Sequence, residues 1–155
     1  MKKGFTFIEL LVVISLIGII SASILKVLNP TAQFNRARDS RRKTDLARLQ
    51  AVLELYRSDQ GSYPPSSGLS SCGSSSPLTF GGTTYLDIIP CDPSTNSAYT
   101  YTASPPACTT STPCSGYSII ACLENVNDPQ RDLPTSTSPP CTSGITNWSY
   151  TVKNP

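Results

Sequence analysis

The sequence predicts an α+β fold, in which a long N-terminal α-helix packs its second half against a small antiparallel β-sheet. Three observations lead to this prediction. Residues 5–25 form an apolar run long enough to cross the ~30 Å hydrocarbon layer of a membrane as a helix. Residues 34–57 repeat apolar side chains at spacings of three and four, as an amphipathic helix does. Within residues 98–152, apolar and polar residues alternate in segments typical of half-buried strands.

The composition leaves room for one modest domain beyond the N-terminal helix. The chain has 155 residues, of which 14% are charged, with 14 prolines, six cysteines and no histidine. The lack of histidine excludes catalytic pairs of Ser or Cys with His and zinc sites built on His. No glycine-rich phosphate loop of the Walker or dinucleotide type is present either. We therefore expect neither enzyme activity nor a cofactor.

The apolar run carries one acidic residue near its start. An ionised carboxylate deep in lipid costs at least ~2.5 kcal/mol, so Glu9 needs a cationic partner and indicates a function. No Lys, Arg or His lies between Phe5 and Leu25. A free amine at Phe5, created by a cut after Gly4, would supply the missing cation.

The residues around Glu9 resemble the class III signal of type IV pilins and pseudopilins. Residues 4–11 read Gly-Phe-Thr-Phe-Ile-Glu-Leu-Leu and follow a short basic leader. The resemblance implies that a membrane-embedded prepilin peptidase cuts between Gly4 and Phe5 and methylates the new Phe5 amine. It also implies that Glu9 acts in the assembly of a helical filament.

Two other interpretations of this segment remain open. In a cleaved secretory signal, Lys2 and Lys3 would form the basic region, and residues 21–23, Ser-Ala-Ser, would be the cleavage site. Against this, the apolar run exceeds the usual ~7 to 15 residues and contains an acid. The second alternative is a plain membrane anchor.

Charge and cysteine usage indicate opposite membrane orientations. Basic residues are more numerous just after the apolar run than before it, which predicts a cytoplasmic C-terminus. All the cysteines lie beyond residue 70 in a Ser/Thr/Pro-rich region, which fits a disulfide-supported domain in an oxidising compartment. We give the cysteine usage more weight than the charge pattern. We expect a single-pass protein of the cytoplasmic membrane with its N-terminus inside, which later joins an extracellular or periplasmic filament.

The helical pattern continues beyond the membrane segment. We expect Pro30 to kink or break the helix, because it lacks an N–H and clashes with the preceding turn. The pattern then runs to about Ser58, where a polar segment with Gly61 ends it. We expect its apolar face to pack on the sheet. That face is formed by Leu46, Leu49, Leu53 and Tyr56.

The chain divides into four predicted regions. These are the leader at 1–4, a transmembrane and filament-core helix at 5–28, its amphipathic continuation at 29–60 and a disulfide-supported globular head at 61–155. In the head, the predicted elements are a helical turn at 85–89 and strands at 98–102, 116–124 and 145–152.

The head extends the resemblance. Residues 61–64 and 89–93 look like the corresponding segments of major pseudopilins of type II secretion and of related small pilins. Such pseudopilins bind calcium in a loop near the C-terminus. The nearest candidate ligands here are Asn125, Asn127, Asp128 and Asp132. Prolines and an arginine interrupt this set and the repeated glycines are missing, so we favour a solvated acidic loop over a metal site.

The cysteines have no C-x-x-C spacing, which favours structural disulfides over zinc binding or redox chemistry. We prefer bridges between neighbours in the sequence. The preferred pairs are Cys72–Cys91, Cys108–Cys114 and Cys122–Cys141. The pair Cys108–Cys114 is favoured most, because its loop is short and contains Pro113.

Charge is distributed unevenly along the chain. Residues 34–57 carry seven basic and three acidic residues, a net charge of +4, whereas residues 58–155 carry two basic and six acidic residues, a net charge of −4. The basic run 36–43 can face solvent, or it can bind DNA or lipid phosphate. If it faces solvent, we expect ion pairs inside the same helix, namely Asp39 with Lys43, Asp45 with Arg41 or Arg48, and Glu54 with Arg57. We prefer a third use, contact with the acidic heads of neighbouring subunits.

The favoured function is that of a pilin or pseudopilin, a structural subunit that assembles with copies of itself or with related subunits. Its expected partners are the prepilin peptidase, the assembly machinery of a pilus or secretion system, and the membrane before assembly. The alternative is a membrane-tethered extracellular binding domain, or a minor pilin for adhesion or DNA capture. No motif supports nucleic-acid binding. The sequence does not distinguish a pilus from a type II secretion or competence system, or a major from a minor subunit.

Overall fold

The structure is a computed structural model that describes residues 4–109, 111–132, 141 and 148–155, with the backbone alone at 25–28. Contacts within the chain divide it into two compact units, Met1–Phe34 and Asn35–Pro155. Helices and antiparallel sheets together give the α+β architecture that the sequence predicts.

The first unit contains helix α1, Phe7–Leu28. Thr6 caps the start of α1, because its Oγ1 accepts a hydrogen bond from the N–H of Glu9 at 3.4 Å. Residues 7–24 have a mean hydropathy of 2.5, and none of them is buried. By length and composition, α1 is the one helix in the described part of the chain that can cross a membrane.

Helix α2, Pro30–Gln60, begins directly after a break in the helical backbone. Asn29 ends α1 in the left-handed conformation with φ of 39°, which asparagine tolerates better than most residues. Pro30 occupies the first position of α2, where its missing N–H removes no helical hydrogen bond. The break predicted at Pro30 is therefore confirmed. At the other end, Gly61 has φ of 72° and donates its N–H to the Arg57 carbonyl at 2.8 Å.

The remaining elements are short. They are a 3-10 helix, Ser66–Leu69, and five strands: β1 Leu78–Phe80, β2 Thr83–Leu86, β3 Thr100–Ser104, β4 Gly116–Leu123 and β5 Trp148–Lys153. Strands β1 and β2 form an antiparallel hairpin, and β3, β4 and β5 form a separate antiparallel sheet with β4 in the centre.

The three predicted strands correspond to β3, β4 and β5 with shifted bounds, and residues 145–147 of the third lie outside the described residues. The helical turn predicted at 85–89 is wrong, because Tyr85 and Leu86 belong to β2. The cause is the turn before them. Gly81 and Gly82, with φ of 57° and 84°, make a two-residue loop that pairs Phe80 with Thr83.

The core lies between one face of α2 and the three-stranded sheet. Leu46, Leu49, Leu53 and Tyr56 are each at most 4% exposed, and they form one cluster with the inward side chains of β3 and β4. The sheet contributes Tyr101, Ala103, Tyr117, Ile119 and Ala121. The predicted packing of this helix face is confirmed. Each fully buried leucine contributes about 1.5 to 3 kcal/mol.

Three disulfide bridges lie in the head, at the pairs preferred from the sequence. They join Cys72 to Cys91, Cys108 to Cys114 and Cys122 to Cys141. The first links the segments on either side of the hairpin, the second closes the connection between β3 and β4, and the third anchors residue 141 to β4. No cysteine is free.

Candidate functional site

The predicted processing site lies on an open stretch of backbone. Phe5 is 83% exposed, and a Cβ built on Gly4 would meet no atom within 4 Å. Neither residue is part of α1, which begins at Phe7. An accessible segment outside regular secondary structure, with a residue that has no side chain before the predicted cut, suits a protease with a narrow subsite.

Glu9 lies in the first turn of α1, where the positive end of the helix dipole favours a negative charge. Its side chain is exposed and forms no ion pair among the described residues. In the uncut chain the nitrogen of Phe5 is an amide, so the amine expected to neutralise Glu9 exists only after a cut.

Residues 7–24 of α1 expose apolar side chains on every side of the helix, with Glu9 as the one charged residue among them. Its large aliphatic side chains are strongly exposed, for example Ile8 at 71%, Ile14 at 59% and Ile19 at 67%. A helix that is apolar all round is stable only in a membrane or among other apolar surfaces. This helix therefore provides a large surface for lipid or for other helices.

A second group of functional side chains surrounds Arg42, which is 1% exposed. Its Nε lies 2.6 Å from Asp92 Oδ2, and Nη1 lies 2.8 Å from Asp39 Oδ1. Its Nη2 donates to Asp92 and to the Ser94 hydroxyl, and lies 2.9 Å from a Glu124 oxygen. Burial works to lower the pKa of Arg42, but these hydrogen bonds outweigh it and raise the pKa above its ordinary value.

Asp39 ties this cluster to the end of β4. It is 1% exposed, and its carboxylate accepts the backbone N–H of Glu124 at 2.9 Å and that of Asn125 at 2.7 Å. A charged side chain of α2 thus binds both Arg42 and the main chain of the head. Hydrogen bonds to charged groups contribute about 1.5 to 3 kcal/mol each.

The same part of α2 supplies two further cations to the head. Arg38 forms a two-pronged ion pair with Glu124, and Lys43 Nζ lies 2.6 Å from both oxygens of Asp128. The hydrogen bond from Arg38 is the largest cause that lowers the pKa of Glu124, to about 2. For Asp128, burial works to raise the pKa, but the Lys43 hydrogen bond helps to bring it below its ordinary value.

These contacts correct the interpretation of the basic run. Arg38, Arg42 and Lys43 pair with acids of their own chain, so their charges are already neutralised within the subunit and are not left for neighbouring heads. The predicted pair of Asp39 with Lys43 is also wrong. Asp39 lies on the buried side of α2, where it meets Arg42 one turn further on, whereas Lys43 turns towards Asp128.

Two other helix pairs can be compared with the structure. The predicted pair of Arg41 with Asp45 is present at a loose 4.0 Å. The sequence predicts an ion pair between Glu54 and Arg57, but the structure does not contain it. The Glu54 carboxylate accepts the hydroxyl of Tyr63 at 2.9 Å, and the same hydroxyl accepts a hydrogen bond from Arg57.

Sequence reasoning missed the cluster, although one signal was present. Asp39 and Arg42 continue the spacing of three and four that runs through the buried leucines of α2. Polar residues in register with a buried face indicate a buried polar network. The partners in the head, Asp92 and Glu124, carry no such signal because they lie 50 or more residues away in the chain.

The calcium candidates do not form one site in the described structure. Asp128 binds Lys43, whereas Asp132 accepts the hydroxyl of Thr151 at 2.6 Å. The Asn125 side chain accepts the backbone N–H of Asn127 at 3.2 Å. Among the described residues, no group of three or more His, Cys, Asp or Glu could hold a metal ion.

A cavity of about 300 Å³ opens beside the cluster, with Arg42, Asp92 and Tyr99 among its lining residues. The guanidinium is already bonded on all three nitrogens, and the Tyr99 hydroxyl donates to Asp45 at 2.9 Å. The charged groups at this cavity therefore already form hydrogen bonds and ion pairs within the protein. Their arrangement fastens the head to α2.

Comparison with known proteins gives two family matches. Residues 1–25 match the model of the prokaryotic N-terminal methylation motif, and residues 29–113 match the model of type II secretion system protein G. No solved structure matches the chain.

Three curated relatives are each described as a type II secretion system core protein G. The protein of Pseudomonas aeruginosa is 32% identical over 98 residues, which cover 59% of this chain and 68% of that relative. That of Klebsiella pneumoniae is 31% identical over 65 residues, 41% of this chain and 44% of the relative. That of Pectobacterium carotovorum is 29% identical over 65 residues, 41% of this chain and 39% of the relative. The match thus spans less than half the length of two of these relatives.

Proposed function

The chain belongs to the type II secretion system protein G family, and from this membership we propose that it is a structural subunit of a pilus-like filament. The observation that supports this most directly is α1, an apolar helix whose side chains are exposed on all sides in the single chain. Such a surface is covered by lipid before assembly and by the α1 helices of other subunits afterwards. Packing between exposed isoleucines then supplies the cohesion of the filament.

Processing precedes assembly in this proposal. A prepilin peptidase removes the leader, residues 1–4, by cutting between Gly4 and Phe5, and the new amine of Phe5 is methylated. The methylation motif over residues 1–25 and the exposure of Phe5 support this step. Glu9 then pairs with the amine of Phe5, either in its own chain or in a neighbouring subunit.

The subunit is stored in the cytoplasmic membrane with its N-terminus inside, so that residues 61–155 meet an oxidising compartment. The three disulfide bridges of the head support this orientation, since such bridges persist outside the reducing cytoplasm. Its partners are related pseudopilins and the secretion machinery that extracts the subunit from the membrane.

Mass spectrometry of the native N-terminal peptide tests the proposal. The chain is produced together with a type II secretion system and recovered from membranes and sheared filaments. We expect a peptide that begins at Phe5 and carries an N-methyl group. A peptide that begins at Met1 in material from assembled filaments would contradict the processing step, and a peptide that begins after residue 23 would indicate an ordinary secretory signal.

A further inference from the structure

The segment that follows β4 is fastened to the rest of the head at both of its ends. We call residues 124–132 the acidic loop, because they include three acidic side chains, Glu124, Asp128 and Asp132. At the start of the loop, the Asp39 carboxylate of α2 accepts the N–H groups of Glu124 and Asn125. At its end, the Asp132 N–H donates to the Ser149 carbonyl at 2.8 Å. The loop therefore has a defined conformation on either side of Asp128.

The middle of the acidic loop is held by a lysine of α2. Lys43 Nζ lies 2.6 Å from both oxygens of Asp128, and the two side chains are only 20% and 10% exposed. The same ammonium group lies 5.6 Å from the centre of the Tyr150 ring, whose face attracts a cation. One Asp128 oxygen also accepts the Gln130 N–H at 2.9 Å. The solvated loop expected from the sequence is therefore wrong at Asp128, which is buried and paired.

Asp39 and Lys43 hold the loop from one side of the same helix. They are separated by four residues, which places them one turn apart on α2. The anion binds the backbone N–H groups at the start of the loop, and the cation binds the carboxylate in its middle. Helix α2 thus supplies both charges that the acidic loop needs.

The family resemblance implies calcium near the C-terminus, and the acidic loop does not fit this ion. Calcium takes about six to eight oxygen ligands at ~2.3–2.6 Å, with carboxylates among them. Residues 124–155 contain three acidic side chains. Each already accepts hydrogen bonds from the protein: Glu124 from Arg38, Asp128 from Lys43 and Asp132 from Thr151. Both Asp128 oxygens face an ammonium group, which would repel a divalent cation.

We propose that Lys43 is the resident cation of the acidic loop. It neutralises Asp128 in place of a metal ion, so that the loop keeps its conformation without calcium and does not bind it. The inference concerns the single subunit and does not rest on the filament function. The loop is then held wherever α2 is folded, in surroundings with or without calcium.

Hydrogen exchange of the full chain in detergent tests the proposal, with an excess of either CaCl2 or EGTA. The backbone amides of residues 124–132 should exchange at the same rate in both solutions, because a ligand bound only to the folded loop would protect them. Lys43→Met removes the ammonium group but keeps an unbranched side chain. It should speed the exchange of these amides by about tenfold in both solutions, because a buried carboxylate loses its partner.

Thermal unfolding supplies a second measurement and the controls. Lys43→Met should lower the midpoint by about 4 °C. Lys43→Arg keeps the positive charge and should retain most of the stability. The matched control is Arg48→Met, the same replacement at an exposed position of α2, which should leave the midpoint and the loop exchange unchanged. The double variant, Lys43→Met with Asp128→Asn, should be no less stable than Lys43→Met, because the unpaired charge is gone.

Three results would overturn the proposal. The first is exchange of residues 124–132 in the wild type that calcium slows, or that EGTA accelerates, by about threefold or more. The second is a Lys43→Met variant that matches Arg48→Met in both measurements. The third is a Lys43→Arg variant as unstable as Lys43→Met, which would show that the positive charge is not what holds the loop. None of these results bears on the filament function, which is judged by the N-terminus at Phe5.

Discussion

Arg42 and Asp92 lie 50 positions apart in the chain, yet the Arg42 Nε and an Asp92 carboxylate oxygen are only 2.6 Å apart in an interior position. This contact joins α2 to the loop that follows the hairpin. A buried arginine has no water to replace a lost partner, so the pair is a point at which the fold is sensitive to single substitutions.

Replacing Arg42 by Leu should destabilise the protein by about 3 to 5 kcal/mol, because Asp39, Asp92 and Glu124 would keep buried charges with one cation fewer. Denaturant unfolding of the full chain in detergent measures this. The control is Arg41→Leu, one position earlier and 68% exposed, which should change the free energy of unfolding by no more than about 0.5 kcal/mol. Equal effects from the two variants would contradict the role assigned to the cluster.

Stability should fall in acid because of Glu124. Hydrogen bonds from Arg38, and to a smaller extent from Ser94 and Arg42, lower the pKa of Glu124 from 4.5 to about 2, so the unfolded chain takes up a proton at higher pH than the folded chain. The stabilisation is complete above pH 4.5 and is lost as the pH falls through about 2. The full shift corresponds to on the order of 3 kcal/mol.

Glu124→Gln removes this titration. The free energy of unfolding of this variant should start lower at neutral pH and fall less steeply than wild type between pH 4.5 and 2. A slope that is the same in Glu124→Gln and wild type would show that this carboxylate does not sense acid.

The proposed cut after Gly4 should depend on the absence of a side chain at that position. Gly4→Val should keep residues 1–4 attached in nearly all chains, which intact-mass measurement detects, and should abolish filaments. Gly18→Val introduces the same side chain within α1, where a Cβ would also meet no atom outside the helix backbone within 4 Å, and should be cut normally. Normal processing of Gly4→Val would argue against a narrow protease site.

Glu9 should be needed for assembly but not for insertion. Glu9→Leu removes a charge from an apolar segment, so membrane insertion should be at least as efficient as in wild type. If Glu9 pairs with the Phe5 amine of a neighbouring subunit, filaments should nevertheless be few, because that amine loses its partner. Carbonate extraction and electron microscopy of sheared material measure the two steps. Normal filament numbers would mean that Glu9 is only tolerated near the membrane surface.

The features that follow from local sequence were predictable. The hydropathy of residues 7–24 and the spacing of Leu46, Leu49 and Leu53 depend on near neighbours, and α1 and the packing face of α2 follow from them. Neighbouring cysteines were also preferred correctly as partners, because short loops lose little entropy on closure.

Features that depend on distant pairs or on turn chemistry were missed. The hairpin followed from Gly81 and Gly82, a two-residue turn signal that the helical interpretation of 85–89 overlooked. The partners of Arg42 could not be predicted from the sequence. A charge pattern gives the net charge of a segment, but it does not say which face of the helix each side chain occupies. An excess of basic residues was thus interpreted as an outward surface, although part of it is inside.

Every disulfide bridge begins and ends in the head, and none includes a residue of α2. The helix and the head are thus held together by apolar packing, hydrogen bonds and ion pairs, apart from the chain itself at Gly61. Two chemical agents should then act on different parts of the molecule. A reductant should open the loops of the head without acting on the ion pairs of Arg42, whereas strong acid should weaken those ion pairs while the loops stay crosslinked. Exposure to an acidic exterior would yield a subunit that is loosened at one joint and covalently intact everywhere else.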